Sequence, residues 1–203
     1  KINKSTRSIQ SWRMRDREIP TLSLDLFTHI HSLINYLTSA KPCRIFAKEL
    51  SICKIEDNLV DDVNAIIEYK EGIIASVWYG KISIGYRNGL SIRIFGDNGS
   101  IQWLQTDPEK ILLQQGNGNI EMLDRLSEKV SVANLSRYNR FKAGHPAGFI
   151  EAFANYYSDI AESIVQGRMT EWIQNADIAR EGIYLADAIH QSSKNEKYIE
   201  VKL

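Results

Sequence analysis

The sequence has two cysteines in 203 residues, no hydrophobic run long enough to span a bilayer and no surplus of either charge. Each absence removes a class of protein. Cys43 and Cys53 have no histidine or further cysteine at metal spacing, which argues against a disulfide scaffold or a zinc site and leaves reduced structural thiols. Lysine plus arginine equals aspartate plus glutamate at 25 each. A balanced chain without runs of one sign lacks the basic patch that nucleic acid or an anionic membrane would need, and fits a neutral small-molecule partner. With no membrane span and no charged-then-apolar leader, the chain is expected to be cytosolic. It begins at Lys1 and not at methionine, as expected of an excerpt from something longer.

Chemical signatures are missing too. A dinucleotide cradle needs a strand, a G-x-G-x-x-G turn and a helix. Gly116-Asn117-Gly118 comes closest, but Glu121 stands in the third glycine position and strand-like sequence follows it. There is no P-loop, C-x-x-C pair, G-x-S-x-G elbow or H-E-x-x-H helix. The chain is therefore expected to bind no redox cofactor by itself and no metal.

What is present is organised around residues 21–37, Thr-Leu-Ser-Leu-Asp-Leu-Phe-Thr-His-Ile-His-Ser-Leu-Ile-Asn-Tyr-Leu. Helical spacing gathers Asp25, His29, Ser32 and Tyr36 into a polar stripe and Leu26, Ile30, Leu33, Ile34 and Leu37 into an apolar one. Thr21 or Ser23 is placed to cap the helix start, and Lys41-Pro42 stops it near Ser39. Asp25, one turn before His29, is placed to orient the imidazole or to share a substrate hydroxyl with it. On spacing alone a surface Asp-His pair with no task remains the other reading. Upstream, the adjacent Trp12 and Arg13 are candidates to line a polar pocket or to cover the core edge.

After a short β-like stretch at 44–50, residues 60–123 read as an antiparallel meander. Val63, Ala65, Ile67 and Tyr69 alternate with Asn64, Ile66 and Glu68, and strand-like sequence continues over 73–83. Asn88-Gly89 and Asp97-Asn98-Gly99 are hairpin turn signals, expected to join Lys81–Tyr86, Leu90–Phe95 and Ser100–Leu104. A further turn at 116–119 joins two short strands. Ile66, Ile74, Trp78, Phe95 and Trp103 put large apolar groups on both sheet faces, so a second subunit or domain is expected to cover one of them. A long polar loop over 125–148 carries His145, and two helices follow, Phe149–Gln166 and one beginning after Thr170. A last strand, Tyr198–Leu203, joins the sheet. The fold class is α+β, an open and mainly antiparallel sheet with helices on one face, in a single domain over 1–203.

Together Trp12-Arg13, Asp25-Leu-Phe-Thr-His29, Asp61-Asp62 before a hydrophobic strand, Ile92-Arg-Ile-Phe-Gly96 with Gly99-Ser-Ile-Gln-Trp103, and Gly144-His145-Pro146 before Phe149 resemble the C-terminal half of the Gfo/Idh/MocA oxidoreductases. The resemblance implies a dihydrodipicolinate reductase-like domain that binds a sugar or polyol and forms homo-oligomers through its open sheet. It also implies NAD or NADP, bound by an N-terminal domain not found in this chain. On the same match Asp25 binds and orients a hydroxyl, and His29 shares proton transfer with a lysine of an E-K-P motif in that other domain. His145 would lie near substrate, and Arg13, with Trp12 beside it, would line the pocket. Ala40-Lys41-Pro42 follows the helix and is not the counterpart of that motif. Where the family tends to have glycines before its Asp, this chain has Pro20-Thr-Leu-Ser-Leu24. The alternative reading is a noncatalytic remnant or binding module of the same fold.

Overall fold

The computed structural model describes residues 11–53, 58–131, 135–170 and 172–202. In chain order the helices are α1 (Thr28–Thr38), α2 (Phe149–Gln166) and α3 (Ala176–Asn195). The strands are β1 (Pro42–Leu50), β2 (Asp62–Tyr69), β3 (Ile74–Gly80), β4 (Ser91–Gly96), β5 (Gly99–Leu104), β6 (Ile111–Gln115), β7 (Ile120–Leu123) and β8 (Ile199–Glu200). They form an α+β fold whose two four-stranded sheets are both antiparallel. The chain divides into two compact units, residues 1–83 with 174–203 and residues 84–173.

The first unit contains the sheet β3-β2-β1-β8 with α1 and α3 on one face. Alternation along β2 sends Val63, Ala65, Ile67 and Tyr69 inward, where all four are buried. Register aligns Ile45 with Ile67 on one side and Val63 with Tyr79 on the other, so the inward side chains form continuous rows across the strands. Leu185, Ala186 and Ile189 of α3 and Ile34 of α1 close over those rows. Each fully buried large aliphatic side chain of this kind contributes about 1.5–3 kcal/mol. As expected, α1 stops at Ser39, which takes a left-handed φ of 53° and donates its N–H to Asn35 O at 2.8 Å. Helix α3 starts later than the sequence suggests. Its cap is Asn175, whose side chain accepts from Ile178 N, a stronger start signal than Thr170.

The strand run over 60–123 is shared between two sheets. Residues 81–90, expected to be a strand and a two-residue hairpin, contain neither. Gly85 has a left-handed φ of 86°, and Asn88 sits in a three-residue turn closed by Gly89 N donating to Arg87 O at 2.6 Å. The second unit holds the meander β4-β5-β6-β7 and helix α2. Its first hairpin turns at Asp97-Asn98, as the sequence indicates. Gly99 is required there: its φ is 149°, and a Cβ would come within 2.1 Å of Gln114 O.

The outward face of the first sheet exposes Phe46, Ile66, Ile74 and Trp78, the last two at 67% and 49%. Among the described residues no helix is long and apolar enough to cross a membrane.

Candidate functional site

The site begins with an irregularity that the helical spacing of residues 21–37 conceals. Residues 21–38 form one continuous helix, but Ser23–Phe27 winds it as a π turn before α1 proper. Such turns insert an extra residue into a helix and occur often at functional positions. Neither Thr21 nor Ser23 caps the helix as expected. Asp16 does, accepting from Thr21 N at 2.9 Å while its other oxygen accepts from Val60 N at 2.8 Å. Thr21 instead donates its hydroxyl to Arg15 O, and the buried Ser23 hydroxyl shares a hydrogen bond with Tyr79 at 2.9 Å. Burial pushes the Tyr79 phenol above its ordinary range, although the Ser23 bond works against that, so Tyr79 stays protonated.

Asp25 lies in this π turn, with its side chain 17% exposed. Arg13 donates from Nη2 to Oδ1 at 3.0 Å and Lys81 donates from Nζ to Oδ2 at 2.7 Å. Both cations are about two-fifths exposed. Pairs this open to water stabilise a fold by about 0–1 kcal/mol, so what the cluster provides is a fixed carboxylate at the surface. Trp12 stands beside it, half-exposed, with the Arg13 guanidinium 4.9 Å from its ring centroid. His29 is exposed one turn further along the helix. Its side chain makes no hydrogen bond to another described residue, and Asp25 is tied to the two cations and does not orient the imidazole. The first unit thus holds four expected residues, Trp12, Arg13, Asp25 and His29, and adds Lys81.

His145 belongs to the second unit. It is exposed in a turn where both its backbone N and its ring Nδ1 lie 3.1 Å from Lys142 O. The buried Arg125 holds that turn from beneath, donating to His145 O at 2.6 Å and pairing with Glu109 at 3.3 Å.

The other half of the expected stripe pattern is corrected by His31. It is 2% exposed, on the inward face that Phe27 and Ile34 share at spacings of four and three, while its neighbour Ile30 only borders the core. His31 Nε2 lies 3.4 Å from Oε1 of Glu181 on α3, whose Oε2 accepts from Lys41 Nζ at 3.3 Å. Gly182 lets α3 come this close, since a Cβ there would stand 3.3 Å from His31 Cδ2. Burial pushes His31 below the ordinary histidine value; Glu181 pulls it back up and Lys41 adds to the depression. The nearby Tyr69 phenol, also buried, is pushed up to about 12. A depressed folded-state pKa contributes stability that is present above the unfolded value near 6.5 and lost as pH falls through the folded one. The melting temperature is therefore expected to drop between about pH 7 and about pH 5, and the His31→Gln variant to show a shallower drop. Parallel curves for the two proteins would exclude His31 as the cause.

No group of three or more potential metal ligands occurs among the described residues. Both cysteines are free. Both four-stranded sheets are antiparallel, unlike the parallel strand, Gly-rich turn and helix of a dinucleotide cradle.

A family model described as the GFO/IDH/MocA C-terminal domain matches residues 3–102. The chain is 27% identical over 210 residues to the uncharacterized oxidoreductase YfiI of Bacillus subtilis (strain 168), covering 95% of this chain and 52% of that protein. Its fold is similar to that of an oxidoreductase from Pseudomonas syringae, with a TM-score of 0.80 and 22% identity over 89% of this chain and 52% of the other. It is also similar to an inositol dehydrogenase homolog from Azotobacter vinelandii, solved with NADH and myo-inositol, with a TM-score of 0.75 and 22% identity over 87% of this chain and 49% of the other. The chain spans about half the length of each of these relatives.

Proposed function

Since the chain carries the C-terminal domain of the GFO/IDH/MocA oxidoreductases over residues 3–102, we propose that it is the substrate-binding and catalytic part of an NAD(P)-dependent sugar or polyol oxidoreductase. The observation that carries this reading is the surface carboxylate of Asp25, clamped by Arg13 and Lys81, one helical turn from the exposed His29. A carboxylate oxygen has lone pairs to spare after one accepted bond, so Asp25 takes a hydroxyl proton donor while staying in place. His29, open to solvent on the same helix, receives or returns the proton of a carbinol hydroxyl as the carbon is oxidised or reduced. The redox half of the reaction belongs to a nicotinamide cofactor held outside the described residues. Within the second unit His145 is proposed as a substrate-contacting residue, and the apolar outer face of the first sheet as the surface that joins two copies.

Combining this chain with the nucleotide-binding half of a relative tests the reading. Substrate-dependent NADH formation from a sugar or polyol is the expected result, and sedimentation of the same preparation reads whether copies associate. A folded assembly that binds NAD and polyol yet forms no NADH would instead favour a noncatalytic binding module.

A further inference from the structure

The cluster around Asp25 has more hydrogen-bond donors than the protein uses. A guanidinium has five N–H groups and an ammonium three. Among the described residues Arg13 and Lys81 each donate one side-chain hydrogen bond, both to Asp25. The Arg13 Nε atom is buried and has no partner among the described residues. The other carboxylates attached to this part of the fold do not absorb the surplus. Asp16 is occupied by Thr21 N and Val60 N, and Asp61 by Ile52 N and Cys53 N. Trp12 stacks on the guanidinium face, which leaves its in-plane N–H edge as the reactive side.

Building on the reading of Asp25 and His29 as the substrate site, we propose that the substrate is an acidic sugar or polyol whose oxyanion, a carboxylate or a phosphate, seats on the spare donors of Arg13 and Lys81. A neutral hydroxyl offers these donors a single oxygen and brings a proton that needs an acceptor of its own, and among the described residues Asp25 is the one carboxylate bonded to both cations. An oxyanion only accepts, and its planar or trigonal oxygens match a guanidinium edge in the bidentate manner. Asp25 then separates two jobs. It keeps the cations in place and meets a hydroxyl, while the anion fixes which end of the substrate lies toward His29.

The test is an NMR titration of the isotope-labelled chain with D-glucuronate, D-glucose 6-phosphate and D-glucose, read at the His29 imidazole and the Lys81 side chain. One of the two anions is expected to saturate at a concentration about ten-fold or more below that for D-glucose, a gap of about 1.4 kcal/mol. Which anion does so decides between carboxylate and phosphate. Lys81→Gln should bring the anion close to D-glucose, and Lys81→Arg should keep the preference. D-glucose saturating as early as both anions would overturn the proposal and leave the Asp25–His29 site standing. An unchanged anion preference in Lys81→Gln would overturn it as well. If none of the three probes moves His29, both the proposal and the substrate site beneath it fail.

Discussion

Replacing His29 by alanine is expected to lower turnover by about a hundred- to ten-thousand-fold when the chain works with its nicotinamide-binding half, the usual range for a general acid–base group. The loss should fall on kcat, with cofactor affinity unchanged, because His29 lies on the helix after Asp25, beside an antiparallel sheet and not at a strand–glycine–helix turn. The effect should not come through unfolding. The His29 side chain is exposed and bonded to no other described side chain, so it adds little to the core. Steady-state kinetics beside a thermal melt separates these cases: a variant that melts like the parent and turns over like it would remove His29 from proton transfer.

The second large effect is on stability. Phe27→Ala is expected to cost about 3–5 kcal/mol, the range for deleting a fully buried phenylalanine. Phe27 is wholly buried at the end of the π turn, its ring centroid 5.8 Å from that of Tyr79 and 6.4 Å from that of His31. Its removal would leave a void where the helix rests on β3, in a place with little freedom to collapse because Ser23 is bonded to Tyr79 on the same side. Denaturant unfolding measures the loss. A change below about 1 kcal/mol, the range of an ordinary surface substitution, would mean that the helix start is not part of the cooperative core.

The sequence made the regular parts of this molecule readable where one physical signal dominated. The two-residue alternation of β2, the turn at Asp97-Asn98 and the end of α1 all appear where local chemistry placed them. The signal weakened where several turn residues stood close together. Gly80, Gly85 and Gly89 bracket a stretch that alternates like a strand, yet the chain leaves one sheet there and enters another. At the candidate site, Asp25 and His29 were visible because they lie on one helix. Lys81 was not, since it reaches Asp25 from 56 positions away and no local pattern marks it. The burial of His31 was hidden for a different reason. A histidine between Phe27 and Ile34 on the inward face reads as polar, and the acidic partner that accompanies its burial, Glu181, lies on a distant helix.

One contact described above makes the site a gauge of the fold. Tyr79 lies two positions before Lys81 on one chain segment, and the Ser23 it touches lies two before Asp25 on another. The spacing between ammonium and carboxylate is thus set by a hydroxyl pair buried just beneath it. Slackening at that buried joint would first be seen at the surface as weakened ligand grip, while the protein as a whole was still folded. Substitutions in the core near Tyr79 should therefore sort by their effect on affinity before they sort by melting temperature, and selection for binding would maintain packing that selection for stability alone could let drift.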